Sequence, residues 1–323
     1  MLPLSEIHAM SKTLDEAWHS PVADALAAPW GIGPSRSHFL RSSATHVFVV
    51  RDTAFPHGAR FLRAVPGWHR DLPAVERRAG LVAGLGRAGA GVAVPVPSQG
   101  GRVVESVATE LGVYHVMLVE GAPGGRIEVS TLTAAQATVW GAALAGLHLR
   151  SGEIADPPSA VPDLRRATAV FAGDSELVAA ILAVADRLDA LATDASRFGL
   201  THNDFELDNL AWKGGMVTAF DFDESGRSWF AADVAKAVDE LEGRAGTPLF
   251  DSFVGGYRSI RPLHEEDLAL LPLFDLARAA SDLIMLRSVL DMEAAGGHPK
   301  WLHDLHASLS RRTTEIRSRL LGA

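Results

Sequence analysis

The sequence predicts an α+β fold in which a small antiparallel sheet is followed by a larger, mainly helical region. Three short β-type runs lie close together in the first part of the chain, at residues 38–40, 46–50 and 60–65, and turn-forming residues separate them. From about residue 133 onwards, helical patterns dominate the sequence. A chain of 323 residues can form a large core and divide into two lobes.

The other elements of the first region follow from local patterns. Apolar residues between about 5 and 28 predict one N-terminal helix, and a second helix is predicted over residues 72–87. Two further strands are predicted over residues 102–107 and 114–119. A Gly/Pro cluster at 120–125 comes directly after them and indicates a boundary between lobes.

The region beyond this cluster is predicted to be helical with one hairpin. We place the N-terminal lobe at residues 1–120 and the C-terminal lobe at residues 121–323. Two strand-like runs, 210–212 and 217–220, are joined by a Gly-Gly pair that suits a tight hairpin turn. The predicted helices cover residues 133–149, 162–191 as one or two helices, 231–241, 268–290 and 301–321.

Composition and charge argue against several classes of protein. The formal net charge of −9 leaves no dense Lys/Arg stripe for nucleic acid, and no run of about 18 apolar residues predicts a membrane span. The chain has no cysteine, which removes disulfides and thiolate chemistry and is compatible with a reducing compartment. The first residues lack a basic segment followed by an apolar one. We therefore expect a cytoplasmic protein with neither nucleic acid nor membrane as partner; the oligomeric state stays open.

The most informative segment is 200–209, Leu-Thr-His-Asn-Asp-Phe-Glu-Leu-Asp-Asn, which Phe-Asp-Phe-Asp follows at 220–223. Phosphoryl transfer from a metal-bound nucleotide needs a carboxylate where the acceptor hydroxyl arrives, together with oxygen ligands for the metal. Asp204 suits the base, and the hairpin brings Asp221 back beside Asn209 as a second oxygen ligand. Mg²⁺ usually takes one or two carboxylates plus substrate phosphates. The spacing therefore predicts a phosphoryl-transfer site.

Each of these residues also has a plainer interpretation when it is taken alone. Asp204 could be a turn or cap residue, and Asn209 could be an ordinary loop residue. Asp223 shares a strand face with Asp221 if the extended pattern continues, so it is a candidate second metal ligand or substrate ligand. The combined spacing favours the catalytic interpretation.

The two motifs resemble those of the aminoglycoside phosphotransferase and choline kinase-like family, also called the phosphotransferase enzyme family. The loop of that family reads His-Gly-Asp-x-x-x-x-Asn and is followed by Ile-Asp-Phe/Trp-x-Asp; here residues 202–209 and 220–223 match. The resemblance covers residues 35 to 240 approximately. It implies a protein-kinase-like two-lobe fold, Mg²⁺, and ATP or GTP as the phosphoryl donor. It also implies that Asp204 is the catalytic base and that Asn209 and Asp221 are metal ligands.

Three residues near the motif are interpreted as structural. Asp233 matches a family Asp that opens a helix and supports the catalytic loop by hydrogen bonds, and an N-cap would also explain it. His202 is interpreted as a hydrogen-bonded scaffold of the loop. Asn203 stands where the family usually has Gly, and Asn tolerates left-handed backbone geometry better than other non-glycine residues.

The N-terminal lobe offers candidates for the nucleotide site. The turn that contains Ser42 and Ser43 could cover the phosphates with amides and hydroxyls, although a plain polar hairpin is an equal alternative. The resemblance implies that Arg63 contacts the α- and β-phosphates and that Glu76 holds Arg63 in place. Arg60 or neighbours of Glu76 would take these roles in another register.

The hinge between the lobes is predicted at residues 117–121, where Val119 and Gly121 would contact the nucleotide base through backbone and apolar groups. Trp229 could line the acceptor site or be a core aromatic residue.

The phosphoryl acceptor is the least defined part of the prediction. The resemblance implies a hydroxyl of a small molecule such as an aminoglycoside, aminosugar, choline or homoserine, with a protein Ser/Thr acceptor as the alternative. A nucleotide-binding pseudokinase is a further alternative. Acidic residues of the C-terminal lobe could attract a cationic acceptor, or could be solvated helix faces: Asp239, Glu240, Glu242, Asp251, Glu265, Glu266 and Asp267.

Overall fold

The computed structural model describes residues 1–154, 157–241, 246–292 and 297–322. Its first part is a six-stranded antiparallel sheet with strand order β1-β2-β3-β6-β4, in which β5 also pairs with β6. The elements of this part are α1 (Leu4–Ser11), α2 (Pro21–Ala27), β1 (Ser37–Ser42), β2 (His46–Arg51), β3 (Ala59–Pro66), α3 (Leu72–Arg87), β4 (Pro95–Val96), β5 (Glu105–Thr109) and β6 (Gly112–Glu120).

The second part is mainly helical and contains two small two-stranded sheets, β7–β10 and β8–β9. Its elements are α4 (Ala134–Leu149), α5 (Ala167–Val170), α6 (Ser175–Asp189), β7 (Phe198–Thr201), β8 (Leu210–Lys213), β9 (Met216–Ala219), β10 (Gly226–Trp229), α7 (Phe230–Ala237), α8 (Pro248–Arg258), α9 (Glu265–Leu268), α10 (Leu271–Val289) and α11 (Lys300–Leu321). The predicted α+β fold with a small sheet and a larger helical part is confirmed. The boundary placed at residues 120 and 121 stays a prediction.

Most predicted elements occur at or near their expected positions. The helix predicted over 72–87 coincides with α3. The β8–β9 hairpin turns at Gly214 and Gly215, whose φ angles of 57° and 77° lie in the left-handed region that glycine adopts without strain. No described helix is long and apolar enough to cross a membrane.

Several predicted elements are wrong in detail. The single N-terminal helix is two helices, because Ser20 caps α2 by accepting hydrogen bonds from the amides of Val22 and Ala23, and Pro21 is its first residue. The strand predicted over 102–107 begins only at Glu105. The prediction of one or two helices over residues 162–191 is confirmed, since the segment contains the short helix α5 and then α6. The strands β7 and β10 were not predicted, because they pair across a long stretch of sequence, from Phe198 to Trp229, and no hairpin turn marks them as one does β8 and β9.

One hydrophobic cluster joins the two parts of the molecule. It contains Leu2 and Leu4 from the N-terminal segment, Val65 and Met117 from the sheet, and residues of α10 and α11 that include Leu302. The last two helices therefore pack against the sheet through a continuous apolar core.

The helices α4 and α8 pack with their backbones in close contact at two glycines. A Cβ atom placed on Gly141 would lie 1.9 Å from the carbonyl oxygen of Phe253, and one on Gly256 would lie 1.9 Å from that of Thr138. No side chain fits at either position. This contact matters for the site because α4 and α8 carry two of its supporting residues, described below.

We expect Gly256→Ala to destabilise the protein by about 3 kcal/mol, because the added methyl must push a backbone oxygen away. The adjacent Gly255→Ala is the matched control: its Cβ meets nothing within 4 Å, and Ala favours the helix by up to about 1 kcal/mol. Urea unfolding of both variants measures the difference. Equal stability of the two variants would contradict the packing described.

Candidate functional site

The loop that contains the motif is held by the fully buried carboxylate of Asp233. Its oxygens accept hydrogen bonds from the amides of His202 at 2.6 Å and Asn203 at 2.9 Å, and from Nε2 of His148 at 3.0 Å. The Nδ1 atom of His148 lies 2.8 Å from the hydroxyl of Tyr257. This network ties the loop to α4, α7 and α8.

The interpretation of Asp233 as a possible N-cap is wrong. Trp229 is the N-cap residue of α7, and Asp233 lies inside the first turn, where its carboxylate faces the loop instead of the helix amides. Three hydrogen bonds to one carboxylate compensate the loss of hydration that its burial causes.

His202 joins the loop to the segment after β9, which carries Asp221. Its Nε2 atom donates to the carbonyl oxygen of Phe220 at 3.1 Å, and its Nδ1 atom accepts from the amide of Asp204 at 3.2 Å. The imidazole is fully buried, so it holds both segments at a fixed separation. The next residue, Asn203, has a φ angle of 60°, the left-handed geometry that glycine usually supplies.

Asp204, Asn209 and Asp221 line one cavity of about 470 Å³. The side-chain amide of Asn209 donates to a carboxylate oxygen of Asp204 at 2.7 Å and to the carbonyl oxygen of Asp204 at 3.0 Å. The amide of Phe220 donates to the carbonyl oxygen of Asn209 at 3.0 Å, which places Asp221 beside the loop. The sequence expected this proximity from the hairpin.

The donor set fits Mg²⁺ that binds together with phosphates. Asp221 offers a carboxylate, and Asn209 offers its amide oxygen because its nitrogen donates to Asp204. In the described part of the chain, no group of three or more His, Cys, Asp or Glu residues could hold a metal alone. Mg²⁺ commonly takes one or two protein oxygens and completes its shell with phosphate and water.

Arg63 joins the sheet to both acidic residues of the second motif. Its Nη2 atom donates to Asp221 at 2.6 Å and to Asp223 at 2.7 Å, and Arg41 donates to the other oxygen of Asp221 at 2.6 Å. The expectation that Glu76 holds Arg63 is wrong. Glu76 is exposed, and the two aspartates bind the guanidinium of Arg63 instead.

Asp223 is a buried residue among arginines. Burial alone would raise its pKa, but Arg63, Arg70 and Arg78 outweigh this effect and hold the pKa of Asp223 below its ordinary value. Arg70 lies 3.4 Å from its second oxygen. The structure therefore places Asp223 as an anchor for arginines, whereas the sequence offered it as a second metal or substrate ligand.

The turn between β1 and β2 carries Ser42 and Ser43. The hydroxyl of Ser42 lies 2.7 Å from Nδ1 of His46, and the amide of Ser43 donates to the carbonyl oxygen of Thr45 at 3.0 Å. Both groups are thus engaged within the turn itself. Ser43, together with Arg41, still borders the cavity that contains Asp204.

A second cavity of about 450 Å³ lies between the sheet and the motif segments. Its lining combines apolar residues, among them Leu40, Met117 and Val119, with arginines and aspartates. Val119 borders this cavity, and its contact with a nucleotide base stays a prediction. Gly121 packs against β3 and donates its amide to the carbonyl oxygen of Ala59 at 3.0 Å, so that amide is already bonded.

The two cavities meet at the second motif. Arg41, Asp221 and Asp223 line both of them. On one side of Asp221 lies an apolar cleft with arginines, and on the other side lies the polar cavity around Asp204. A transfer reaction between two substrates needs two adjoining pockets of this kind.

Trp229 is a core residue at the edge of the first cavity. Its ring packs against Phe198 and Phe274, and its Nε1 atom donates to the carbonyl oxygen of Ala192 at 2.9 Å. Trp229 is therefore a core aromatic residue that also borders the cavity around Asp204. Its contact with an acceptor stays a prediction.

Lys236 of α7 lies in the site, although no motif in the sequence predicted it. Its Nζ atom lies 3.1 Å from a carboxylate oxygen of Asp204 and 2.5 Å from Glu206, and both carboxylates raise the pKa of Lys236 against the effect of burial. Helical spacing from Asp233 is the only signal in the sequence, because Lys236 lies one turn further on the same helix.

Acidic residues that the sequence offered for a cationic acceptor are largely paired on the surface. Asp239 binds Arg278 at 2.9 Å and Glu266 binds Arg197 at 3.0 Å, while Glu242 lies outside the described residues. The acidic residues that line the cavity around the motif include different ones: Asp204, Glu206, Asp208, Asp221, Asp223, Glu224 and Asp282.

Comparisons with known proteins agree with this geometry. The family model described as "Phosphotransferase enzyme family" matches residues 35–270. An uncharacterized protein of Deinococcus radiodurans is 32% identical over 212 residues, which cover 59% of this chain and 61% of that protein. Homoserine kinase of Neisseria meningitidis is 31% identical over 206 residues, 58% of this chain and 63% of that protein. The matched segment thus spans less than two thirds of either relative.

Solved structures share the fold over nearly the whole chain. Amicoumacin kinase hAmiN, in complex with AMP-PNP, Ca²⁺ and Ami, superposes with a TM-score of 0.76 at 20% identity and covers 97% of this chain and 96% of its own. A microcompartment-associated aminopropanol kinase has a TM-score of 0.65 at 23% identity, with 93% and 97% covered. The protein-kinase-like two-lobe fold expected from the sequence is thereby confirmed.

The buried His148 predicts a pH dependence of stability. Burial lowers the pKa of His148 despite its hydrogen bond to Asp233, so the unfolded chain binds this proton more readily than the folded one. The stabilisation is therefore complete above the ordinary histidine pKa of about 6.5 and decreases as the pH falls below it, by up to about 1.4 kcal/mol per pH unit.

We expect His148→Gln to flatten this decrease, because glutamine can donate to Asp233 and accept from Tyr257 without titrating. The free energy of unfolding, measured at several pH values between about 5 and 8, tests this. Parallel curves for the wild type and the variant would show that His148 does not titrate as described.

Proposed function

The chain belongs to the phosphotransferase enzyme family, and we propose that it is a kinase that transfers the γ-phosphate of ATP or GTP to a hydroxyl group of a small molecule. One observation carries the proposal: the donor-type cleft and the cavity around Asp204 meet at Asp221. A phosphoryl group held at Asp221 would face an acceptor hydroxyl at Asp204.

Each residue of the site has a role in this reaction. Asp204 accepts the proton of the acceptor hydroxyl, and Asn209 fixes the orientation of that carboxylate through its amide. Asn209 and Asp221 would hold Mg²⁺, which would neutralise the charge of the phosphates. Arg63 contacts the phosphates from the sheet side of the cleft.

Lys236 keeps an oxygen of Asp204 occupied by a cation in the absence of an acceptor. An acceptor hydroxyl must approach that same carboxylate to lose its proton. We infer that Lys236 then turns fully to Glu206, with which it already forms the shorter ion pair.

The charge of the acceptor cavity favours an amine-bearing acceptor. Acidic side chains outnumber basic ones in its lining, where the cations are Arg41, Lys236, Arg278 and Arg312. Both homoserine and aminopropanol, named for the two kinases above, combine a hydroxyl with an amine. A hydroxyl-bearing cation or zwitterion therefore fits the cavity best.

Asp204→Asn should reduce phosphoryl transfer by about 10²- to 10⁴-fold, because the base is lost, and should leave Mg²⁺-nucleotide binding nearly unchanged. The measurement is ATP and GTP turnover with aminoglycosides, aminosugars, choline, homoserine, amino alcohols and basic proteins. Turnover that persists in Asp204→Asn would remove its assigned role. Phosphorylation of the basic proteins alone would indicate a protein kinase.

Asp221→Ala is the companion variant, and unlike Asp204→Asn it should change nucleotide binding. It should weaken binding of the Mg²⁺-nucleotide, since it removes a carboxylate that holds the metal. Equal affinities of the wild type and Asp221→Ala would contradict the metal role. Nucleotide binding without turnover of any acceptor, in the wild type, would favour a pseudokinase.

A further inference from the structure

Arg78 of α3 is a half-buried cation whose guanidinium group has free hydrogen-bonding capacity. Its Nε and Nη1 atoms are buried and have no hydrogen-bond partner among the described residues. Its Nη2 atom lies 3.5 Å from the carbonyl oxygen of Ser225, which is at the limit of a hydrogen bond. A guanidinium normally directs five N–H donors at acceptors.

The unpaired donors of Arg78 destabilise the protein when no ligand is bound. Burial lowers the pKa of Arg78, which reflects the loss of hydration of its charge. Asp223 is the carboxylate that attracts Arg78 most strongly, and it already accepts hydrogen bonds from Arg63 and Arg70. Unsatisfied buried donors are rare in folded proteins, and a bound ligand is one of their ordinary explanations.

The surroundings of Arg78 indicate what such a ligand would be. Arg78 lines the same cleft as Arg41, Arg63 and Arg126, and the acidic residues of that lining are Asp221 and Asp223. Four arginines and two aspartates give the lining a formal charge of +2. A nucleoside triphosphate with one divalent metal carries a charge of about −2, so the charges match.

We propose that Arg78 is a phosphate-binding residue of the donor site, whose guanidinium group presents its unpaired N–H donors to oxygens of the nucleotide polyphosphate. A guanidinium donates side-on through Nε and Nη2 or end-on through Nη1 and Nη2, and either pair suits two oxygens of one phosphate. The inference rests on the proposed donor function of this cleft. It gives α3 a cation beside Arg63, where the sequence expected a carboxylate from Glu76.

Nucleotide binding to Arg78→Met tests the proposal without any acceptor. Methionine keeps much of the apolar volume and removes the charge. We expect the affinity for Mg²⁺-AMP-PNP to fall by about 10- to 100-fold while the affinity for adenosine stays unchanged, because adenosine has no phosphate. Arg78→Lys should recover part of the loss as a point charge. Arg77→Met, an exposed neighbour on α3, is the matched control and should bind as the wild type does.

The stability of the ligand-free protein separates a binding role from a structural one. Since Nε and Nη1 of Arg78 have no hydrogen-bond partner among the described residues, Arg78→Met should melt at the wild-type temperature or above it. A variant that melts well below the wild type, fails to fold, or loses adenosine and AMP-PNP affinity equally would overturn the proposal. Unchanged AMP-PNP affinity, or a wild type that binds no nucleotide, would overturn it as well.

Failure of the proposed kinase reaction has a different signature. If no acceptor is phosphorylated but AMP-PNP binding depends on Arg78 as described, the transfer function fails and the phosphate-binding role stands. If acceptors are phosphorylated and Arg78→Met binds AMP-PNP normally, the kinase function stands and the role of Arg78 fails.

Discussion

The buried carboxylate of Asp233 is the interaction on which the rest of the site depends. A fully buried charge is tolerated only when hydrogen bonds replace its hydration, and here the amides of His202 and Asn203 supply two of them. The same bonds fix the backbone that presents Asp204. His148 closes the network from α4, and Tyr257 supports it from α8, so the close contact of these helices at Gly141 and Gly256 also determines where the loop lies.

A second set of charges links the sheet to the loop. Arg41 and Arg63 bind Asp221 across the cleft and hold its carboxylate in place. The metal role proposed for Asp221 requires the exchange of at least one of these ion pairs, which would release a guanidinium for phosphate. Since Asp223 stays bound to Arg63 and Arg70, the arginines keep a fixed anchor during this exchange.

The sequence predicted contacts between residues that are close together along the chain. It did not predict contacts between residues that are far apart along the chain. The Asp204–Asn209–Asp221 group is contained in one loop and one hairpin, so its proximity follows from local structure. Lys236 and Arg78 reach the site from separate helices and match no motif. A signal for Arg78 did exist: it lies on the face of α3 that includes the buried Val75, Ala79 and Val82, whereas Glu76 points elsewhere. Helical periodicity therefore favours Arg78 over Glu76 as the residue of α3 that faces the cleft.

The hydrophobic cluster that includes Leu2, Val65, Met117 and Leu302 limits how the cleft can open. Full separation of the lobes would expose these side chains to water, at about 1.5–3 kcal/mol for each large one. The nucleotide exchange that the proposed function requires would then proceed by bending of small amplitude and not by wide hinge opening. For the same reason the two lobes should lose their structure in one cooperative transition, so that the cleft and the C-terminal helices share a single melting event.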